Sequence, residues 1–270
     1  MSEDNKVSET IKAVQGLVEA VPIYQDGLQP AVKELGKGLH IASRCVTAAL
    51  SPIAALVWGF DRIQEFVTTR VAEKLSAIPP ENIVPPRPEV AGPALEALRY
   101  AGHDENLREL FANLLATSMD ASTAATAHPG FVEILKNLSP DEALVARFFA
   151  RTHRIPILDV RAHFKEKPQE YETVITNFSH LGSFAGCKHL NLVQGYVDNL
   201  CRLQLLEIET MAQIAAPDAY KSLEEDKALE PVKQHLEATN RNVQFAHKIL
   251  TRTVWGILFF NACVIDKPKA

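Results

Sequence analysis

Asn113, Asp120, His128 and Glu133 fall within one short stretch and carry the side chains that a metal-dependent hydrolase uses. A carboxylate, an imidazole and a second carboxylate could hold a divalent cation or move a proton, and an amide could orient a substrate. A nuclease-like reading assigns that work to Asp120, His128 and Glu133. The opposing reading is structural: Asn113 and Asp120 satisfy loop backbone, and His128 caps a helix. No pair of histidines shows the i, i+4 spacing of a metal-binding helix. The spacing of Cys187, His189 and Cys201 matches no standard zinc finger. A phosphate-binding glycine loop, GxSxG and HExxH are all absent from the sequence. The expectation is therefore a non-enzymatic chain with no catalytic residues, no metal, no cofactor and no small-molecule substrate. Asn113, Asp120, His128 and Glu133 are retained as a candidate binding cluster.

The elements that must position these residues are written densely from 79 to 142. Pro79, Pro80, Pro85, Pro86 and Pro88 rule out a helix across the lead, since each lacks an N–H and biases its predecessor to extended geometry. Ile78, Ile83, Val84 and Val90 give this arm apolar teeth. Pro93 after Gly92 predicts a helix start, and Gly102 a left-handed stop. Asp104 or His103 should cap the next helix, whose Leu107, Leu110, Phe111, Leu114 and Leu115 form one apolar stripe. Pro129 opens a further helix, and Ser139-Pro140-Asp141-Glu142 is a capping box that starts another. Asp141 reads as a first-turn partner of the helix dipole.

Residues 79–142 also resemble a known family. AGPALEALRYAGHDENLRELFANLLATSMD, followed by AHPGFVEILKNLSPDEA, is similar to the abortive-infection alpha (Abi-alpha) family of bacterial proteins. Trp58-Gly59-Phe60-Asp61, the IPPENIVPP arm, Met119-Asp120 and His128-Pro129 extend the likeness, which spans roughly residues 35 to 265. The resemblance implies antiphage defence by abortive infection and carries over no catalytic residues.

Composition bounds the rest. The chain has 270 residues, is 47% hydrophobic and has a net charge of −5. A sizeable core is available, and a broad nucleic-acid-binding surface is disfavoured. Four scattered cysteines suit reduced thiols in the cytoplasm. Residues 45 to 60 carry no charge, but the run is shorter than the roughly 20 residues a simple span needs, and Pro52 interrupts it. A buried helix pair is the plainer interpretation. The sharper one releases Leu56, Val57, Trp58 and Phe60 to a bilayer, giving a peripheral location at the inner face of the membrane.

Downstream, Ile155 to Val160 reads as a short strand, Tyr171 to Leu181 as a helix, and Asn191 as the cap of a helix running to Leu203. Leu205 to Glu209 and Val243 to Thr251 read as strands, residues 218–238 as a charged helical insertion, and Thr253 to Val264 as a closing buried helix. Glu224, Glu225 and Asp226 read as a solvated face. This order is that of a winged helix with an enlarged wing. Lys188, Asn191, Gln194 and Arg202 are the candidate nucleic-acid contacts, but Asp198 shares their face and positive charge is sparse.

The expected architecture is mostly α. A helical extension (1–38) precedes an all-α core (39–153) with a proline-rich arm (79–90), and a winged-helix-like α+β domain (154–270) follows. The expected function is an abortive-infection sensor or effector working through a protein partner or self-association, with the membrane as a further partner. A winged-helix DNA-binding regulator is the alternative.

Overall fold

The computed structural model describes residues 57–267, which lie in one compact unit, Leu56–Ala270. The expectations for residues 1–38 and for the charge-free run up to Leu56 lie outside the described residues. The first element, α1, runs from Phe60–Phe66 through a π turn at Val67–Val71 into Ala72–Leu75. Thr68 and Thr69 turn their hydroxyls back onto the Gln64 and Glu65 carbonyls, which accompanies this widened turn. Four helices follow: α2 (Pro88–Ala101), α3 (Glu105–Met119), α4 (Gly130–Lys136) and α5 (Pro140–Arg151).

Helix α3 is the centre of the core. Asp104 caps it, accepting from the Leu107 N–H at 3.0 Å. Every residue from Leu110 to Ser118 is buried, polar ones included. That is the burial of a helix surrounded on all sides, not of a surface helix with one apolar stripe. The proline arm bends around its end: Ile83 bridges Asp120, Val84 N–H donates to the Met119 carbonyl, and Ala121 N–H donates to the Asn82 carbonyl.

Two details of this region correct the sequence expectations. Helix α2 begins at Pro88, with Pro93 inside it. Pro88 can start the helix because its missing N–H falls in the first turn, where no intrahelical acceptor awaits it; the bond forgone at Pro93 is offset by the buried packing of Val90 and Ala94 on either side. Gly102 is right-handed, at φ −62°, and not a left-handed stop. A Cβ there would lie 2.5 Å from Cδ2 of Trp58, so glycine is needed for close approach of the indole.

The second half is a four-stranded antiparallel sheet in the order β2-β1-β4-β3, so the chain is mostly α with a smaller β part. Its strands are β1 (Arg154–Phe164), β2 (Lys167–Phe178), β3 (Leu206–Glu209) and β4 (Arg241–Arg252). Between β2 and β3 lie α6 (Leu181–Ala185) and α7 (Val193–Arg202). Between β3 and β4 lie α8 (Lys221–Glu224) and α9 (Glu230–Ala238). The chain closes on α10 (Val254–Phe259) and a π turn at Phe260–Val264.

Over Tyr171 to Phe178 the expected helix is instead the second half of β2, which pairs with β1 from Leu158↔Phe178 to Phe164↔Lys167, and Leu181 opens α6. Thr173, Val174, Ile175 and Thr176 are four consecutive β-branched residues, which suit a pleated strand better than a helix. Asn191 is not a helix cap: Leu190–Leu192 form a 3₁₀ turn, and α7 starts at Val193 without a side-chain cap. The closing helix buries Phe259, Phe260 and Cys263 as expected, but leaves Val254 and Leu258 exposed.

One face of the sheet joins the main core through Ile155, Ile157, Leu206 and Leu250. On the other face, Leu158 and Val160 pack under Tyr220, Leu223 and Leu229 of the segment between β3 and β4. That segment is tied to the rest of the chain by its acids. Glu224 meets His247 at 2.6 Å, and Asp226 meets His180 at 2.6 Å. The expectation of a purely solvated acidic face is corrected here, because both carboxylates have a histidine on a neighbouring element.

Candidate functional site

The four residues of the polar cluster are built into different parts of the structure. Asn113, buried on α3, donates from Nδ2 to the Cys263 carbonyl at 3.1 Å and, more weakly, to the Val264 carbonyl at 3.4 Å. It thereby satisfies carbonyls at the end of the closing helix, which have no partners further along that helix. Asp120, held by the arm at the end of α3, accepts from the Ser122 N–H at 2.9 Å, the Ser122 hydroxyl at 2.7 Å and the Lys267 ammonium. Burial raises the Asp120 carboxyl, but the Lys267 and Ser122 donors outweigh it and bring it down to about 2. His128 is exposed. Its Nδ1 accepts from the Gly130 N–H at 3.0 Å, and its ring lies edge-on to Trp255, 5.1 Å between centroids. Glu133 points to solvent and pairs with Lys136 one turn along α4. The structure therefore does not bring the four together. Among the described residues, no group of three or more His, Cys, Asp or Glu could hold a metal ion.

Around α7, Lys188, Asn191, Gln194 and Arg202 are all exposed. Two of them are engaged within the chain: Gln194 donates to the Thr176 carbonyl of β2 at 2.8 Å, and Arg202 donates to Asn199 Oδ1 at 2.6 Å. Asp198 is exposed on the same helix. Leu190 and Leu192 in the loop before α7 are 56% and 49% exposed. Beside the exposed Lys188, the surface thus presents leucines where a groove-binding helix would present further cations.

The membrane-contact candidates divide. Leu56 lies outside the described residues. Trp58 is 4% exposed, stacked under the Arg62 guanidinium and edge-on to Phe66. Phe60 is 78% exposed. No helix among the described residues is long and apolar enough to cross a membrane.

A buried acid that the sequence placed only at a helix start ties the two halves of the core. Asp141 on α5 accepts from the Lys188 N–H at 3.0 Å, the His189 N–H at 2.8 Å and the Tyr196 hydroxyl at 3.1 Å. Burial opposes ionisation of Asp141, yet these donors hold its carboxyl below the usual range. The capping box around it forms as expected: Ser139 N–H donates to Glu142 Oε2 at 2.6 Å, and Glu142 N–H donates to the Ser139 hydroxyl at 3.3 Å. The other oxygen of Glu142 takes the Asn199 amide at 2.7 Å. The burial of Cys187, together with Asp141 beside it, pushes its thiol up to about 11, away from nucleophilic use at neutral pH.

A cleft of about 690 Å³ lies between α5, α6 and the end of the closing helix. Leu144, Arg147, Phe148 and Arg151, spaced i, i+3, i+4, i+7 along α5, line one wall. The sequence signal was present as two arginines four positions apart, but nothing local marked the empty space beside them.

No curated protein matches the chain. A solved structure of an uncharacterized protein from the hydrocarbon-degrading marine bacterium Alcanivorax borkumensis SK2 is 15% identical, with a TM-score of 0.36, covering 54% of this chain and 99% of that one. The family described as "Abortive infection alpha" matches residues 59–263, from the start of α1 to the final turn. With the match spanning nearly all of the described elements, the chain belongs to the abortive infection alpha family.

Proposed function

We propose that this protein restricts phage by abortive infection and does so through protein contacts, without a chemical step of its own. Family membership across residues 59–263 supports the defence role. The observation that carries the contact role is the apolar lip before α7, where Leu190 and Leu192 stand exposed just after the Lys188 and His189 N–H groups that Asp141 anchors. Exposed leucines on ordered backbone lose little entropy on docking and bury apolar area at roughly 25 cal/mol per Å². The dispersal of Asn113, Asp120, His128 and Glu133 into separate structural duties also favours a role without catalysis by these four.

The test is phage plaquing on bacteria expressing the protein, with survival of infected cells scored at high multiplicity. Fewer plaques with death of the infected cells is the expected result. Leu190→Ser/Leu192→Ser should restore plaques without changing the melting temperature. Unchanged plaque counts across a broad phage panel, or full activity of the double variant, would overturn the proposal. In one version the protein acts peripherally at the inner face of the membrane through residues 45–60. That version predicts loss of membrane potential on overexpression, and an intact potential removes it.

The second reading, a winged-helix DNA-binding regulator, has support from element order. Helix α5, strand β1, helices α6 and α7, and strands β3 and β4 follow the winged-helix sequence, with β4 between β1 and β3. On this reading β2 and the α8–α9 segment are additions. It predicts a salt-sensitive shift of duplex DNA that is lost on Lys188→Ala and Arg202→Ala. No binding at low salt would remove it.

A further inference from the structure

The cleft beside α5 is more than a gap between helices. Its α5 wall alternates cationic and apolar groups: Arg147 and Arg151 with Leu144 and Phe148. Phe184 of α6 supplies a second wall, 65% exposed and near parallel to the Phe148 ring at 6.4 Å between centroids. Val264, Ile265 and Asp266 supply the third. Neither guanidinium has an ion-pair partner among the described residues within 4 Å, whereas Arg70 and Lys74 are both paired with acids; Arg147 does act at longer range on Asp266, whose carboxyl it helps to hold below its ordinary value. Arg147 is half-buried. Its single acceptor is the Asn106 carbonyl at 3.5 Å, and its Nε is shut off from water with no acceptor at all. That Nε is closed to a ligand as well, so the part of Arg147 left for binding is the outer edge of its guanidinium, whose one hydrogen bond is long and where a ligand oxygen would meet a charged donor.

We propose that this cleft binds a nucleotide. Arg147 and Arg151 hold the phosphate, the task for which a planar, always-charged fork is suited. Phe148 and Phe184 offer ring faces to the base, whose stacking is tolerant of base identity. A cleft of about 690 Å³ is within the range of small-molecule sites. Asp266 sharpens the choice. Its carboxylate lies in the same cleft, bonded to Lys74 at 2.7 Å. Bare phosphate or sulfate would be repelled by it, whereas a nucleotide can turn a ring amine or ribose hydroxyl toward it as a donor. The assignment stands on its own, whether or not the protein restricts phage.

Titration calorimetry on the full chain with AMP, ATP and GMP tests it, with inorganic phosphate, adenosine and decanoate as controls. At least one nucleotide should bind with Kd below about 1 mM. Arg151→Gln should weaken it by about tenfold or more. Phe184→Ala should weaken the nucleotide more than it weakens any phosphate binding. Arg151 and Phe184 are both exposed, so unchanged melting temperatures will show that the variants fold. No nucleotide binding at about 1 mM by the folded protein, or undiminished binding by Arg151→Gln, overturns the proposal. Phosphate binding as tightly as AMP would mark a simple anion site, and decanoate binding in place of any nucleotide would mark an apolar-acid site. Either result also overturns it.

Discussion

At the scale of residues, the buried acids are spent on structure, and one of them gives a pH signature. Asp120 lies at about 2 in the folded chain, against an ordinary value of 3.8. A carboxyl depressed by folding adds stability that is fully present above its ordinary value and is lost as pH falls through its folded value. The Asp120–Lys267 contribution should therefore be complete at pH 5 and fade between about pH 4 and pH 2. Melts of the wild type and Asp120→Asn across that range provide the measurement. The gap between their melting temperatures should be widest at pH 5 and narrow steadily on acidification. A gap that stays constant would show that the carboxylate charge is not what Lys267 recognises. Asp120 was visible in the sequence as a polar residue ending a helix. Its partner is 147 positions away, and no local pattern joins them.

At the scale of elements, legibility followed range. The Asp104 cap, the stripe from Leu107 to Leu115 and the Ser139–Glu142 capping box were all legible, because each is fixed by neighbours within one or two turns. Strand β2 was not. Val174, Ile175, Phe178 and Leu181 also satisfy helical spacing, and what decides for a strand is the hydrogen-bonding edge of β1, which the pattern of β2 alone does not contain. The seat of α10 is of the same non-local kind. Thr253 caps it, accepting from the Gly256 N–H at 2.8 Å, and a Cβ on Gly256 would lie 2.0 Å from the Leu205 carbonyl oxygen at the entrance to β3. Backbone cannot yield as a side-chain tip can, so Gly256→Ala should cost about 3 kcal/mol or more, at or above the upper end of ordinary overpacking. Gly195, exposed on α7 with nothing within 4 Å of its Cβ position, is the matched control. Gly195→Ala should stabilise by about 0.5–1 kcal/mol. Denaturant melts of the two variants test both signs. If Gly256→Ala melts like the parent, α10 is not seated against Leu205 as described.

At the scale of the whole molecule, the end of the chain completes the middle. Asn113 and Thr117 of α3 donate to the Cys263 and Ala262 carbonyls at 3.1 and 2.9 Å, and Lys74 of α1 takes Asp266. Phe131 of α4 packs against Trp255 at 4.7 Å and Phe259 at 5.5 Å between centroids. The helical part and the sheet therefore share the last helix, and the prediction concerns whether they can fold apart. A chain ending at Thr253 would leave two buried polar side chains on α3 without acceptors and remove Phe259 and Phe260, both essentially unexposed. Losing one such aromatic typically costs about 3–5 kcal/mol, and a whole domain has only about 5–15 kcal/mol to lose. Truncation after Thr253 should abolish the cooperative melt of the helical part as well as the sheet. Truncation after Ile265 removes only Asp266, Lys267 and the residues beyond, so it should melt cooperatively at a lower temperature. Circular dichroism melts of the two truncations against the parent distinguish one folding unit from two. If the chain ending at Thr253 keeps a cooperative helical transition near that of the parent, the helices fold without the closing segment, and the hydrogen bonds from Asn113 and Thr117 add little to its stability.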